Sequence, residues 1–295
     1  MNVLLTGASG FIGRNLVAVM QAAGHRIVPV SRRHGFDVSR MTTPEAWMSL
    51  LESVDAVVNA VGIIAQDRQQ RFATLHAQAP IALFQACTWA GVRRVVHISA
   101  LGANESAFSA YHRSKRTADD ALRSLDLDWL VLRPALIYGR GGTSAELFLR
   151  LTRLPRLPVV DDGQQHLQPV HISDVIDTLV QGLTVSSTRR TLDLVGPQTV
   201  SFADWLQLMR LAQGLPPTGL LRIPYPFALT MAYLGRGLNP LLHPDNLRML
   251  QAGYLGDPGP WTQFLGRKPR APWPAGFFTD ARDALTDVQE GEANP

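Results

Sequence analysis

Three glycines near the N-terminus constrain the fold of this chain more than any other feature of its sequence. Gly7, Gly10 and Gly13 follow the apolar segment Asn2–Thr6 and open a helix predicted over Phe11–Ala23. Glycines at this spacing let the chain turn tightly, bring bare backbone near a ligand and lay a helix close to a sheet. The first turn of such a helix offers N–H groups to phosphate. The motif therefore predicts a dinucleotide-binding turn rather than a simple connection rich in small residues.

Apolar strands alternate with helices through the first half of the chain. Strands are predicted at His25–Val30, Val54–Ala60, Arg94–Ser99 and Leu127–Leu132, and helices at Arg71–Ala90 and Ala110–Leu125. Apolar strands separated by helices imply a parallel sheet covered on both faces. The predicted fold class is α/β, a doubly wound Rossmann sheet with a smaller, mostly helical C-terminal lobe. The link after Val30 is too brief for an ordinary crossover, so a third strand at Phe36–Val38 is predicted to be short or missing.

The second half predicts a division into two domains. We expect residues 1–195 to form the dinucleotide domain, with 140–170 crossing towards the small lobe, and 196–295 to form that lobe with a frayed acidic tail. Further elements are predicted as helices at Ser144–Leu151, Ser173–Leu183 and from an N-cap at Ser201 through Leu211, a strand at Thr191–Val195, and irregular structure over Gly253–Phe278. The apolar segment Ile223–Leu238 is interpreted as a core helix of the lobe, with a membrane-surface or partner-binding helix as the alternative.

The end of the second strand bears on the choice of cofactor. A carboxylate there would hold a ribose 2′-hydroxyl, whereas arginine would hold a 2′-phosphate. The chain reads Ser31-Arg32-Arg33 and has no acidic residue until Asp37. Because a guanidinium binds phosphate oxygens in a fork, we favour NADP(H), and NAD(H) stays open. Two surface arginines in a loop are the alternative interpretation.

A tyrosine and a lysine four residues apart suggest proton-transfer chemistry. Tyr111 and Lys115 lie on one face of the predicted helix, and Lys115 is one of only two lysines in the chain. A phenol is a poor base at neutral pH, but a nearby ammonium favours the phenolate and is expected to lower its pKa. A plain amphipathic helix is the structural alternative.

These motifs together resemble the short-chain dehydrogenase/reductase superfamily, in its extended or atypical branch. The resemblance rests on the glycine turn, Asn59 to Gly62, Ser99, Tyr111-x-x-x-Lys115, and the segments 132–139 and 168–175. The segment 98–103 beside the Tyr-Lys pair resembles one subgroup. It contains the NAD(P)H-binding accessory subunit of respiratory complex I and bacterial NAD-dependent epimerase/dehydratase-like relatives. The match covers about residues 1–200 by motif order and spacing.

The resemblance implies roles for individual residues. Tyr111 would be the acid/base, Lys115 its activator and a ligand of the nicotinamide ribose, and Ser99 the candidate for binding the reacting carbonyl. Cofactor contacts are implied for Gly7, Ser9, Gly10, Phe11, Ile12, Gly13, Ser31, Arg32, Arg33, Asp37, Val38, Ala60, Val61, Gly62, Lys115 and Pro134.

One position departs from the superfamily pattern. Active members place a second or third Ser or Thr after the fifth strand, whereas Ser99 is followed by Ala100 and Leu101. Ser99 could therefore belong to the strand end alone, with Ser106 and Ser109 as further candidates, and Ser109 fits equally well as a helix N-cap.

Composition excludes several classes of protein. The only cysteine, Cys87, lies in an apolar helix and is expected to be a buried small hydrophobe, which leaves no internal disulfide. His166 and His171 lack a third ligand nearby in sequence, so no metal site is predicted. The net charge of +4 does not imply nucleic acid. We expect a cytoplasmic protein, possible contact with a membrane surface or protein partner, and an unknown small-molecule substrate.

Two functions fit these features. The first is an oxidoreductase or epimerase that uses NADP(H) with the Tyr111–Lys115 pair. The second is a non-catalytic, cofactor-binding accessory or assembly protein, in which the bound dinucleotide stabilises the fold without turnover.

Overall fold

A computed structural model of the chain describes residues 1–67, 69–142, 148–186, 189–235, 243–279 and 281. The strands are β1 (Asn2–Thr6), β2 (Arg26–Val30), β3 (Ala56–Asn59), β4 (Arg94–Ile98), β5 (Asp128–Pro134), β6 (Ile137–Tyr138), β7 (Leu157–Val160), β8 (His166–Leu167), β9 (Val170–His171), β10 (Arg190–Leu194), β11 (Val200–Ser201) and β12 (Leu220–Ile223). The α-helices are α1 (Phe11–Ala22), α2 (Glu45–Met48), α3 (Ala79–Ala90), α4 (Ala110–Arg123), α5 (Ile172–Thr184), α6 (Phe202–Ala212), α7 (Tyr225–Gly235), α8 (Pro244–Ala252) and α9 (Gly259–Leu265). Within these residues, no helix has the length and apolar character needed to cross a bilayer.

The chain divides into two compact units. Unit 1 contains Met1–Pro134 and Ser173–Asp193, together with Ala281, and unit 2 contains Ala135–Ile172 and Leu194–Asp280. The division of the sequence at residue 195 stays a prediction.

A six-stranded sheet forms the centre of unit 1. Its strand order is β10-β5-β4-β3-β1-β2, and the four pairings from β5 to β2 are parallel. The inner strands β1, β3 and β4 are buried, as their continuous apolar runs predicted. The core residues include Leu4, Val57, Leu83, Val95 and Leu122, none of them exposed to solvent. The strand order reverses between β1 and β3, which is where doubly wound sheets bind ligands.

Unit 2 combines helices with three short strand pairs, which are β6–β9, β7–β12 and β8–β11. Tyr138, Trp205 and Phe277 form an aromatic cluster, with ring centroids 4.8–5.3 Å apart. The predicted N-cap of α6 is confirmed, since the Ser201 hydroxyl accepts a hydrogen bond from the Asp204 amide.

The strand at Phe36–Val38, predicted to be short or missing, is missing from the fully described link between β2 and β3. A 3₁₀ turn at Val38–Arg40, capped by the Asp37 carboxylate, forms there. Other predicted elements differ from the structure. The prediction of irregular structure over Gly253–Phe278 is confirmed for residues 253–258 and 266–273, and it is wrong for α9 and for a 3₁₀ turn at Pro274–Gly276. Residues 144–147 of the predicted helix Ser144–Leu151, and the acidic tail, lie outside the described residues.

The described part of the helix predicted over Ile223–Leu238 is not a core helix. Its described part, α7, buries only Ala232, while Phe227, Met231 and Leu234 are 60%, 55% and 76% exposed. These three residues stand at i, i+4 and i+7, so they form one apolar row on the helix. The core interpretation is wrong because apolar composition does not show whether a helix has a partner, and α7 is apolar on every side.

Candidate active site and dinucleotide-binding turn

The glycine turn joins β1 to α1 with almost no free space. Gly7 has φ +68°, and a Cβ there would lie 2.6 Å from the Ala60 carbonyl oxygen. A Cβ on Gly13 would lie 2.2 Å from the Gly7 carbonyl oxygen, closer than real side chains approach backbone. Gly10 is exposed and occupies the N-cap of α1 without a side chain. The first amide groups of the helix have no carbonyl partner inside it, so they can serve a phosphate.

A buried line of polar side chains supports the loop after β3. The Thr6 hydroxyl donates to Asn59 Oδ1 at 2.5 Å, and the Val61 amide donates to Thr6 Oγ1 at 3.3 Å. The Asn59 amide nitrogen lies 2.8 Å from Nδ1 of His97 in β4. Because Thr6 and Asn59 end neighbouring strands at the reversal of strand order, these bonds hold the predicted cofactor residues Ala60, Val61 and Gly62 beside the glycine turn.

The end of β2 carries positive charge. Ser31 is buried and its hydroxyl lies 2.8 Å from His34 Nδ1, while Arg32 and Arg33 are exposed in a 3₁₀ turn. A small concavity beside this turn is lined by Arg14 of α1 and by His34, among other residues. This end of the sheet thus presents several cationic side chains.

The first carboxylate after β2, that of Asp37, already has hydrogen-bond partners within the protein. Asp37 accepts hydrogen bonds from the Ser39 hydroxyl and amide at 2.7 and 3.1 Å, and these bonds lower its pKa against the opposing effect of burial. The side chain of the next residue, Val38, is packed in the core.

Helix α4 carries the tyrosine and the lysine. Its N-cap is Ser109, whose hydroxyl accepts a hydrogen bond from the His112 amide. Of the two further serine candidates, Ser109 is therefore a helix cap. Lys115 is 3% exposed, and its Nζ donates to the carbonyl oxygens of Ile98 at 2.9 Å and Val61 at 3.3 Å. Burial lowers the pKa of Lys115 to about 8, although Asp119 opposes this effect. The lysine thus joins the end of β4 to the loop after β3.

The Tyr111 phenol differs from expectation. We predicted that Lys115 would lower its pKa, but burial raises the pKa of Tyr111 to about 12. The prediction is wrong because desolvation penalises the phenolate, and burial is the cause of the upward shift. Tyr111 is therefore a protonated phenol at neutral pH, suited to donate a proton.

Asp119 is the centre of a buried ionic network that sequence reasoning missed. Its carboxylate is fully buried and lies 3.1 Å from Arg133 Nη2 and 3.4 Å from His97 Nε2. Burial alone would raise the pKa of Asp119, but His97, Arg133 and Ser99 together outweigh that effect and lower it. A signal was available, since Tyr111, Lys115 and Asp119 are spaced by four and share one helical face.

The Ser99 hydroxyl belongs to the hydrogen-bond network around Asp119. Ser99 is 3% exposed and donates to Asp119 Oδ2 at 2.9 Å. A serine that orients a substrate carbonyl must donate its hydroxyl hydrogen, and this hydrogen is used inside the protein. The arrangement favours a structural role, and the catalytic role of Ser99 stays a prediction.

The other predicted positions are distributed as follows. Pro134 is buried at the end of β5, and its carbonyl accepts from the Leu101 amide at 3.0 Å. Cys87 is fully buried as expected, and burial raises its thiol pKa to about 12. His166 is exposed, while His171 is buried against the Tyr138 ring in unit 2. Within the described ranges, no three His, Cys, Asp or Glu side chains could jointly hold a metal ion.

A Rossmann sheet with this glycine turn and a Tyr-x-x-x-Lys helix defines a short-chain dehydrogenase/reductase of the extended type. Comparison with known families gives the same answer. The NAD dependent epimerase/dehydratase family matches residues 3–191, and the chain belongs to this family. Its members bind a nicotinamide dinucleotide.

Relatives of this chain include both enzymes and an accessory protein. The ceramide reductase of Caulobacter vibrioides is 31% identical over 247 residues, covering 79% of this chain and 76% of that protein. The mitochondrial NADH dehydrogenase (ubiquinone) 1 alpha subcomplex subunit 9 of Mus musculus is 25% identical over 255 residues, covering 79% of this chain and 66% of the mouse protein.

Solved structures share the fold. The UDP-glucuronic acid 4-epimerase of Bacillus cereus, in complex with UDP-glucuronic acid and NAD, aligns with a TM-score of 0.70 at 16% identity. The alignment covers 98% of this chain and 100% of the epimerase.

Proposed function

We propose that this chain is an NADP(H)-dependent oxidoreductase that reduces a carbonyl group, or runs the reverse oxidation, with Tyr111 exchanging the proton. The observation that carries the proposal is the contact of Lys115 with the loop after β3, at 3.3 Å from the Val61 carbonyl oxygen. This contact places the Tyr-Lys helix against the loop predicted to line the dinucleotide. An epimerase that oxidises its substrate transiently would use the same residues.

The residues present fit a nicotinamide dinucleotide. We propose that Gly7, Ser9 and the first turn of α1 (Gly10 to Gly13) hold the pyrophosphate. Side chains at Gly7 and Gly13 would collide with backbone, which keeps the turn bare. Ala60, Val61, Gly62 and Pro134 would line the remainder of the site, and Lys115 would hold the nicotinamide ribose. When bound, the dinucleotide supplies or accepts the hydride.

The preference for NADP(H) rests on charge at the end of β2. Arg32 and Arg33 are exposed there, Arg14 lies beside the same turn, and the Asp37 carboxylate is bonded to Ser39. Arginine suits a 2′-phosphate, whereas a free carboxylate would suit a 2′-hydroxyl. Arg32 is the residue that we propose as the main phosphate ligand.

The pKa shifts of Tyr111 and Lys115 are compatible with the proposed proton transfer. Burial raises the pKa of Tyr111 to about 12, so at neutral pH the phenol carries the proton that a reduced carbonyl oxygen needs. Burial lowers the pKa of Lys115 to about 8, yet most Lys115 side chains remain charged at pH 7. Lys115 follows Tyr111 by one helical turn, and we propose that its charge stabilises the phenolate left after donation.

The ceramide reductase relative suggests a substrate class to test first. We propose ketones that carry long apolar chains, to be compared with small water-soluble ketones. The experiment is to mix the purified protein with NADPH and each ketone, and to follow the loss of nicotinamide absorbance. Consumption that the Tyr111→Phe variant lacks supports the reductase.

A non-catalytic accessory role is the second candidate, and one specific observation favours it. The apolar row Phe227, Met231 and Leu234 on α7 is exposed, as a helix that meets a partner or a membrane surface would be. In this role a cytoplasmic protein would use the dinucleotide to stabilise its fold. The test is substitution in the cell of origin. Function that survives Tyr111→Phe but not Gly10→Val supports the accessory role, and loss with Tyr111→Phe rejects it.

A further inference from the structure

His76 is a buried polar residue for which neither proposed function has a use. It has no exposed surface, and it lies in a π-helical turn at Ala73–Gln78 that leads into α3. Turns of this kind are rare and concentrate at functional sites. The sequence predicted an ordinary helix over Arg71–Ala90. It did not predict the π-helical turn or the position that this turn gives to His76.

Both ring nitrogens of His76 are engaged, and their partners fix the tautomer. The Ile63 amide donates to Nε2 at 3.0 Å, so Nε2 must present a lone pair. The proton of the neutral ring is then on Nδ1, which donates to Ser114 Oγ at 3.0 Å. Ser114 in turn donates to the Tyr111 carbonyl oxygen at 2.7 Å. A continuous line of hydrogen bonds therefore runs from the loop after β3 to the first turn of α4.

The environment keeps His76 uncharged. Burial, and next the charge of Lys115, hold the pKa of His76 well below its usual value. An imidazolium would direct a second N–H against the Ile63 amide, and the line of bonds would break at that point. The neutral ring is thus compatible with the adjacent lysine.

The same ring holds the tyrosine side chain. His76 stacks on Phe72 with centroids 5.0 Å apart and an interplanar angle of 20°. The Tyr111 ring meets His76 edge-on, at 5.4 Å and 84°, and meets Phe72 at 5.7 Å and 74°. The phenol ring therefore lies in a corner formed by two other rings, one of which is tied to the loop.

The loop after β3 approaches both His76 and Lys115 at Gly62. A Cβ on Gly62 would lie 3.4 Å from Lys115 Nζ and 3.6 Å from His76 Nε2. Gly62 is one of the residues predicted to line the dinucleotide. A displacement of His76 would thus move the loop and the Tyr-Lys helix relative to each other.

We propose that His76 is a positioning residue. It holds the loop at residues 61–63 against Tyr111 and Lys115, so that the dinucleotide and the proton donor are correctly placed relative to each other. The proposal rests on the proposed function for its consequence. The tie between His76 and Ile63 can be measured without any cofactor.

Three substitutions of His76 separate the effects of its two hydrogen bonds, the one with Ile63 and the one with Ser114. In His76→Gln the side-chain oxygen can replace Nε2 as acceptor for the Ile63 amide. In His76→Asn the shorter amide nitrogen can replace Nδ1 as donor to Ser114, and the Ile63 amide is left unpaired. His76→Phe keeps an aromatic ring beside Phe72 and Tyr111 but removes both hydrogen bonds. Leu83→Ala, a buried change in α3, is the matched control for loss of stability.

The experiment measures the NADPH dissociation constant by fluorescence titration and hydrogen exchange of peptides that cover Ile63. We expect His76→Gln to bind within about threefold of wild type, and His76→Asn and His76→Phe to bind about tenfold more weakly, since a buried donor loses its partner. The Ile63 amide should exchange slowly in wild type and His76→Gln and fast in the other two. Leu83→Ala should lower Tm without changing the dissociation constant.

Two results would overturn the proposal. One is unchanged NADPH binding in folded His76→Asn and His76→Phe variants, and the other is rescue by Asn but not by Gln. Should His76→Phe fail to fold, the Gln and Asn pair still decides. Wild-type protein that binds no dinucleotide would reject the proposed function instead, and Ile63 exchange would still report whether His76 holds the loop.

Discussion

The polar interior of unit 1 and the apolar exterior of α7 in unit 2 invert the usual distribution of residues. In unit 1, Lys115, Asp119, His76 and His97 are buried among hydrogen-bonding partners. In unit 2, Phe227, Met231 and Leu234 are more than half exposed. Buried charges cost free energy unless paired, and exposed apolar side chains add little to folding. The first region therefore indicates chemistry at a fixed geometry, and the second indicates a surface for contact.

The largest contrast is expected between two aspartates. Asp119→Ala should destabilise the protein by about 3–5 kcal/mol, because it leaves Arg133 and its neighbours unpaired in the interior. Asp245→Ala removes an ion pair with Arg248 at 3.1 Å on the surface of α8 and should cost less than about 1 kcal/mol. Urea unfolding of both variants measures the two values. Similar costs would show that the network is not the rigid centre of unit 1.

Lys115→Met tests the buried charge of unit 1 through the pH dependence of the free energy of unfolding. The pKa of Lys115 is about 8 in the folded state and higher in the unfolded chain, so between these values the unfolded state binds more protons. Wild-type stability relative to the variant should rise by about 3 kcal/mol from pH 7 to 10.5. Urea unfolding across this range tests the sign, with Lys268→Met, at an exposed site, as control. A flat difference would contradict a buried ammonium.

Arg32→Ser tests the charge at the end of β2. Loss of one guanidinium–phosphate contact should weaken NADPH binding about tenfold and leave NADH binding within about twofold. Fluorescence titration with both dinucleotides gives the ratio, and Arg40→Ser, in the next turn, is the matched control. Equal losses for NADPH and NADH would remove the argument for a 2′-phosphate site.

The smallest effect is expected on α7. Phe227→Ser and Met231→Ser should change the free energy of unfolding by less than about 0.5 kcal/mol, because both side chains are already exposed. Leu206→Ser, at a fully buried position of α6, is the comparison, and a loss of several kcal/mol is expected there. Urea unfolding decides. A large loss at Phe227 would mean that α7 belongs to the core.

The sequence predicted the fold of unit 1 better than its site. Strands β1 to β5 follow from apolar runs, and α4 from its N-cap and periodicity, because these are local patterns. The hydrogen bonds of His76 and the charge network of Asp119 join segments distant in sequence, which local patterns do not reveal. The pKa of Tyr111 was wrong for a related reason, since burial depends on the packing of several elements. The exposure of α7 could not be read from an apolar segment that lacks a polar face.

The measurement that tests the central claim most directly compares wild type with Tyr111→Phe in a single turnover of NADPH with a reducible ketone. Both proteins should bind NADPH with the same affinity, because the phenol hydroxyl is not needed to hold the dinucleotide. The variant should transfer hydride about 10²–10⁴-fold more slowly, since it cannot donate the proton. Equal rates in the two proteins would contradict Tyr111 as the proton donor.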